Sequence, residues 1–303
     1  MLQVLFSPEA IQKLLETLIN GVRLGSVYAI IALGYTMVYG IAKMLNFAHG
    51  DVIMVGAYIC FCATQYWGMP PILGVVLSML VCTLLGIFIE RLAYKPLRQA
   101  ATLAVLITAI GMSYLLQNLA QLIWSANPKS FTSILAGMQP IHIGVVIIQW
   151  ETILTVVVSV LIMVGLTWFT GNTKMGRAMR AVSEDKGAAE LMGINVNFTI
   201  SLTFAIGSAL AAIAGVLLCS SYPNLQPTTG SMPGIKAFTA AVFGGIGSIP
   251  GAMLGGILLG LIELFGKAYI SPELGDALVF GVLIIILLVK PTGLMGKKIH
   301  EKV

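Results

Sequence analysis

Apolar residues fill most positions of nine segments along the chain, and short polar, glycine or proline stretches separate these segments. A run of about 20 apolar residues is long enough to cross the hydrocarbon core of a bilayer as a helix. We therefore predict an all-α protein, a polytopic helical bundle in a membrane with about eight to ten transmembrane or broken helices. The segments cover residues 14–40, 50–67, 71–90, 101–124, 146–170, 198–219, 236–248, 251–266 and 277–290.

Composition favours the same fold class. Of the 303 residues, 58% are hydrophobic and 10% are charged, whereas about 25% are charged in soluble proteins. The 33 glycines favour close helix packing and broken helices, because small residues let backbones approach where lipid supplies no hydrophobic drive. No segment has the composition of a soluble domain, so we expect residues 1–303 to form a single transmembrane domain.

The net charge of +5 comes from basic residues that are scattered over short loops. This pattern indicates membrane topology and not nucleic-acid binding. If every segment crosses, most of these residues lie on one side, which the positive-inside rule assigns to the cytoplasm, so the N-terminus is outside and the C-terminus is cytoplasmic. The basic residues of that side are Lys43, Arg91, Lys95, Arg98, Lys174, Arg177, Arg180, Lys186, Lys290, Lys297, Lys298 and Lys302.

The longest polar segment covers about residues 171–197, and its pattern predicts a short helix outside the membrane. Ser183 is a suitable N-cap, Glu184 and Asp185 would occupy the first turn, and Gly193 is placed to end the helix. The residues between them are partly apolar although no lipid is there to bury them. A loop of this kind indicates a docking element for another protein. The alternative is a solvated connector.

A polar cluster, Asn46-Phe47-Ala48-His49-Gly50-Asp51, separates the first two apolar segments. Ionisable side chains beside a bilayer are costly unless they face protein or a cavity, so these residues are candidates for function. The alternative is a turn at the membrane surface whose side chains are simply solvated. One histidine and one acid without further ligands do not predict a zinc site.

A glycine-rich run from Gly244 to Gly251 lies in an apolar context and lacks the Gly-Lys-Ser/Thr of a phosphate loop. Glycine and proline at this density break a helix at membrane depth, which is tolerated where the backbone lines a cavity or is buried in protein. The same glycines also suit close helix packing. Together with the first polar cluster, the run gives two interrupted segments, which indicate a transport pathway. No arrangement of nucleophile, histidine and acid predicts catalysis.

Six stretches that together cover nearly the whole chain resemble the LIV-type permeases of branched-chain amino-acid ABC importers, in the hydrophobic amino-acid uptake transporter family. The stretches are GSVYAIIALGYTMVYGIAKMLNFAHGDVIMVGAY (25–58), ERLAYKPLR (90–98), LITAIGMSYLLQN (106–118), TKMGRAMRAVSEDKGAAELMGINV (173–196), KAFTAAVFGGIGSIPGAMLGGILLGLIE (236–263) and VKPTGLMG (289–296).

The resemblance implies a transport subunit of the cell (inner) membrane and not an enzyme. Such a permease forms the translocation pathway with a second homologous permease. Two cytoplasmic ABC ATPase subunits drive it, and an external substrate-binding protein delivers leucine, isoleucine or valine. No cofactor is expected in this chain, because ATP and Mg²⁺ belong to the partner ATPase subunits. Relatives that import urea or short-chain amides, and a channel that works alone, remain as alternatives.

The resemblance also assigns residues to two roles. The cytoplasmic coupling loop that docks on the ATPase is matched by Gly176, Arg177, Arg180, Glu184, Asp185, Ala189 and Gly193. The expected substrate pathway contains Asn46, Phe47, His49 and Gly50 together with Gly244, Gly245 and Gly247.

Overall fold

A computed structural model describes residues 8–144 and 146–296, so Lys297, Lys298 and Lys302 of the predicted basic tail lie outside the described residues. Within this part of the chain there are eleven α-helices and four short strands. The helices are α1 (Pro8–Ala42), α2 (His49–Phe61), α3 (Pro71–Ile89), α4 (Thr102–Trp124), α5 (Trp150–Asn172), α6 (Lys174–Glu184), α7 (Lys186–Leu191), α8 (Val196–Ser221), α9 (Ser231–Gly244), α10 (Ile249–Tyr269) and α11 (Gly275–Val289).

Short irregular elements connect these helices. One π-helical turn continues α2 over Cys62–Tyr66, another continues α3 over Glu90–Tyr94, and a 3₁₀ turn precedes α11 at Pro272–Leu274. The strands form two small antiparallel pairs, β1 with β4 and β2 with β3. Their bounds are β1 (Lys129–Ser130), β2 (Ile141–Ile143), β3 (Val146–Ile148) and β4 (Asn224–Leu225).

The predicted all-α membrane bundle is confirmed. Among the described residues, seven helices are long and apolar enough to cross a membrane, and each predicted apolar segment corresponds to one helix. The boundaries of α9 differ most, since the segment was predicted at 236–248. The helix ends earlier because Gly245 and Gly247 adopt φ values of 104° and 92°, which no right-handed helix contains.

The bundle has two distinct ends, and α1 reaches both. The helical-loop end carries α6 and α7, where the Lys186 ammonium donates to the carbonyl of Ala42 at the last turn of α1, with a distance of 3.2 Å. The hairpin end carries β2 and β3, and there Arg23 of α1 donates to the Gln149 side chain at 2.6 Å. Helix α1 therefore runs from the hairpin end toward the helical-loop end.

Helices α1 and α10 pack with their backbones almost in contact. A Cβ atom on Gly25 would lie 2.6 Å from the Ile257 Cα, and one on Gly256 would lie 2.5 Å from the Ala29 Cα. Small residues at such a seam let helices approach where apolar burial gives no drive, because the surrounding lipid is equally apolar. The many glycines of the chain are therefore used in part for close helix packing, as the composition indicates.

Two short helices begin inside the bundle, and their first turns meet. The ring of His49 at the start of α2 packs on Tyr35 of α1 with centroids 4.6 Å apart, so the chain turns back beside α1 before α2 starts. The start of α9 lies against it, since a Cβ atom on Gly50 would be 2.8 Å from the Gly230 carbonyl oxygen. Each short helix follows a long one, α1 or α8, and these long helices also meet, at Gly34 and Gly207. Such a pair of interrupted segments is typical of internally repeated transporter folds.

The outer surface of the bundle is apolar where it faces lipid. On α3, five exposed residues repeat every fourth position and form one stripe, which consists of Ile72, Val76, Leu80, Leu84 and Phe88. An exposed apolar stripe of this length would be an aggregation hazard in water, but it is the expected surface of a helix in hydrocarbon.

Candidate transport pathway and docking site

The first polar cluster is buried inside the bundle. Asn46, His49 and Asp51 expose 4%, 1% and 1% of their surface, so these side chains do not form a solvated turn. The Tyr94 hydroxyl donates to the Asn46 side-chain oxygen at 2.9 Å, and Phe47 packs on Phe238 of α9. An unpaired buried polar group costs several kcal/mol in hydrocarbon, and whereas Asn46 is paired, the His49 Nε2 has no hydrogen-bond partner among the described residues.

A single glutamine joins the first turns of the two short helices. The Gln117 amide nitrogen on α4 lies 2.9 Å from the Asp51 carboxylate on α2. The same nitrogen lies 3.2 Å from the Ser231 hydroxyl on α9. The carboxylate of Asp51 is also in the first turn of α2, where the helix dipole favours negative charge. Asp51, Gln117 and Ser231 were not among the predicted site residues, although Asp51 belongs to the predicted polar cluster.

The structure places Gly50 far from Gly244, although Phe47 of the first predicted pathway group packs on Phe238 in the middle of α9. Gly50 packs on the first turn of α9, whereas Gly244 is the last residue of this 14-residue helix, about 20 Å away at 1.5 Å per residue. A Cβ atom on Gly244 would overlap the carbonyl of Gly251, and one on Gly245 would overlap the backbone of Gly296. Gly244 and Gly245 thus serve close packing and a turn at the helical-loop end, while Gly247 is exposed there.

Helix α4 carries polar side chains on its outer face. Tyr114 exposes 62% of its surface, Asn118 and Gln121 are also exposed, and all three lie at spacings of three and four residues. Asn118 donates to the Tyr114 carbonyl of its own helix. Carboxamides are costly against lipid, so this face of α4 requires a wet pathway or a neighbouring protein. The spacing of these three residues in the sequence carries this signal, although they were not among the predicted site residues.

The segment at the helical-loop end forms two helices, and its predicted cap is wrong. Ser183 lies within α6, and its hydroxyl donates to the Arg180 carbonyl. Glu184 is the last residue of α6, and Asp185 is the N-cap of α7, where its carboxylate accepts from the Ala188 N–H at 3.0 Å. Serine and aspartate are both common N-cap residues. Asp185 is the cap here because α6 continues to residue 184. Gly193, with φ of 79°, ends α7 as predicted.

The remaining predicted coupling residues divide into supporting and exposed groups. Gly176 allows α6 to pack on the last turn of α5, since a Cβ atom there would overlap the Phe169 carbonyl. Arg180 donates to the Gly171 carbonyl at 3.1 Å, and Arg177 reaches the Asn172 carbonyl, so these two arginines also cap α5. Ala189 is buried. The exposed part of the segment is apolar, because Leu191 and Met192 expose 90% and 82% of their surface.

A network of four charged groups, of which Lys236 and Glu263 are buried and Lys267 and Asp276 are partly exposed, was not predicted from the sequence. Lys236 of α9 contacts both the Glu263 carboxylate at 2.8 Å and the Asp276 carboxylate at 2.6 Å. Glu263 further accepts from Lys267 and from the Tyr28 hydroxyl at 2.8 Å. Two acids and two bases balance each other, so the network joins α1, α9, α10 and α11 without a net charge. An ionisable residue inside the apolar segment 251–266 was the available signal.

A membrane bundle with two short helices that begin inside it, polar side chains on an outer helix face and a short exposed helix at one end has the features of a transport permease. Residues 17–287 match the family described as branched-chain amino acid transport system / permease component, and the chain belongs to this family.

Three relatives illustrate the range of similarity. The high-affinity branched-chain amino acid transport system permease protein BraD of Pseudomonas aeruginosa is 48% identical over 95% of this chain and 98% of its own length. The corresponding permease LivH of Escherichia coli K12 is 45% identical over 95% and 97%. The ribose import permease protein RbsC of Haemophilus influenzae is 29% identical over 82% and 76%, so relatives of the chain include a permease named for a different cargo.

Proposed function

We propose that this chain is the permease subunit of an ATP-driven importer for leucine, isoleucine and valine. The observation that carries the proposal is the identity of 45 to 48% with two permeases named for branched-chain amino acids, which extends over 95% of the chain. Such a subunit forms the pathway with a second homologous permease and receives its cargo from an external substrate-binding protein.

The exposed helix α7 supports docking of cytoplasmic ATPase subunits, which would hold the ATP and Mg²⁺. Leu191 and Met192 present apolar surface outside the membrane bundle, where water is the alternative neighbour. Lys186 links α7 to the last turn of α1, so a force applied to α7 is transmitted to the helix that packs on His49. Glu184 and Asp185 are exposed beside this apolar surface.

The polar face of α4 supports a pathway between two permeases. Tyr114, Asn118 and Gln121 offer neutral hydrogen-bonding groups, which suit a zwitterionic cargo whose charges need partners without a fixed charge to hold them too tightly. Gln117 on the neighbouring face connects this helix to Asp51 and Ser231. The buried cluster that contains Asn46, His49 and Asp51 then holds α4 in position through the Gln117–Asp51 contact.

Charge supports an orientation with the helical-loop end in the cytoplasm. Lys43, Arg98, Lys174 and Lys186 all lie at or near that end, and a surplus of lysine and arginine marks cytoplasmic loops. In this orientation the N-terminus is outside and α11 runs toward the cytoplasm.

Uptake measurements test the cargo and the need for ATPase subunits. The chain is expressed with its partner subunits in cells that lack their own branched-chain importer, and uptake of labelled leucine, isoleucine and valine is measured. We expect saturable uptake that a hydrolysis-deficient ATPase partner abolishes. Uptake of urea or acetamide in place of these amino acids would reassign the cargo. Uptake without any ATPase subunit would instead identify a channel that works alone.

A further inference from the structure

A cavity of about 260 Å³ lies at the helical-loop end, between α1, α4 and α7. Three cationic side chains from three separate parts of the chain line it, namely Lys43, Arg98 and Lys186. Among the described residues that line the cavity there is no carboxylate. Cations that converge on one space repel each other unless an anion or a dipole compensates them, so the lining is built for negative charge.

The existing partners of the three cations leave positive charge unbalanced. Arg98 pairs with the buried Glu90 carboxylate, which does not line the cavity, and donates to the Asn197 side chain. Lys186 donates to the Ala42 carbonyl, and a carbonyl at a helix end compensates only a fraction of a charge. Lys43 is exposed at the rim. Burial and the neighbouring charges of Arg98 and Lys43 lower the pKa of Lys186, as expected for an ammonium without a full counter-charge.

The rest of the lining suits a phosphate group. Ala100 and Thr102, at the start of α4, line the same cavity, and the N-cap residue Ala101 supplies no side-chain cap. The first N–H groups of a helix have no partner within it and favour an anion. Leu45, Leu97 and Leu106 form apolar walls beside the polar groups, so the cavity also accommodates the start of a hydrocarbon chain.

We propose that the cavity between Lys43, Arg98 and Lys186 binds a phosphate group, either as the headgroup of an anionic lipid or as free phosphate. A ligand held there contacts α1, the connection before α4, and α7 at once. It therefore ties the docking segment to the membrane helices. The site is independent of the cargo, so it stands even if the proposed substrate is wrong.

Binding to the full chain tests the site in two arms. The first arm measures binding of inorganic phosphate to the chain in a neutral detergent by calorimetry. The second arm measures the shift in melting temperature on transfer from vesicles of phosphatidylcholine to vesicles that also contain phosphatidylglycerol. Lys43→Gln and Lys186→Gln remove one charge each. Lys174→Gln is the matched control, because Lys174 is an exposed base of α6 outside the cavity.

We expect each cavity variant to weaken phosphate binding about tenfold, or to abolish most of the phosphatidylglycerol effect, whereas Lys174→Gln changes neither by more than about twofold. An effect in the detergent arm alone identifies free phosphate, and an effect in the vesicle arm alone identifies lipid. Either supports the site. Equal behaviour of all variants and the wild type overturns the proposal. So does weaker affinity of the cavity variants for the ATPase subunits without any change in phosphate or lipid binding, because the cavity would then receive a carboxylate of the partner.

Discussion

The apolar tip of α7 gives the most direct test of the docking assignment. Leu191 and Met192 expose 90% and 82% of their surface, so truncation to alanine removes almost no contact within the chain. We expect the free energy of unfolding to change by less than about 0.5 kcal/mol. If an ATPase subunit buries both side chains, each is worth about 1.5 to 3 kcal/mol relative to exposure, and truncation loses most of that.

The double variant Leu191→Ala/Met192→Ala should therefore bind the ATPase subunits about 100-fold more weakly, since each 1.4 kcal/mol is a factor of ten. The assay is the dissociation constant of purified ATPase subunit from the permease in nanodiscs, with uptake measured in parallel. Leu84→Ala is the matched control, because Leu84 is 68% exposed on the lipid-facing stripe of α3 and should leave the constant unchanged. Wild-type affinity of the double variant would refute the reasoning.

Three further predictions concern stability and local structure. Gly256→Ala should lower the free energy of unfolding by about 3 kcal/mol, because its Cβ atom would lie 2.5 Å from the Ala29 Cα, while Gly165→Ala, with nothing within 4 Å, should raise it slightly. Lys236→Met should cost about 3 kcal/mol, since the buried Glu263 carboxylate loses its 2.8 Å partner, whereas Lys129→Met should cost little. Asp185→Ala should cost about 1 kcal/mol at the α7 cap, and Ser183→Ala should cost less.

Denaturation of the purified chain in detergent measures the first two predictions, and hydrogen exchange at residues 186–191 measures the third. Equal stability of Gly256→Ala and Gly165→Ala would contradict the close approach of α1 and α10. An unchanged denaturation midpoint for Lys236→Met would show that the charged network does not stabilise the fold. Faster hydrogen exchange in Ser183→Ala than in Asp185→Ala would indicate that Ser183, as predicted from the sequence, is the N-cap.

The helices were predictable because apolar length decides whether a segment crosses a bilayer, and this property is local. Helix ends were less predictable where they depend on single residues. Ser183 and Asp185 are both good caps, and only the extent of α6 decides between them. The end of α9 depends on the positive φ of Gly245, and glycine permits such a conformation without requiring it.

The site was only partly predictable, because its contacts join distant parts of the chain. Lys236 is 27 residues from Glu263 and 40 from Asp276, and helical periodicity does not reveal contacts between helices. Gln117 likewise meets Asp51 and Ser231 only after three helices pack. The cluster at 46–51 could be found because ionisable residues beside apolar segments are rare. The start of α9 at Gly230, which packs on Gly50 of this cluster, could not be found in the same way, because a glycine in a polar connection carries no such signal.

Backbone contact between α1 and α10 has a consequence for motion during transport. Helices separated by side chains can slide by repacking rotamers, but Gly25 and Gly256 leave no side chain to rearrange, so displacement brings backbone atoms into collision. The glycine seam should therefore move as a rigid body. Helices α4 and α5 have few buried residues and take no part in this seam. Any change of access during transport should therefore leave the packing of α1 on α10 intact, and the polar face of α4 lies outside this rigid pair.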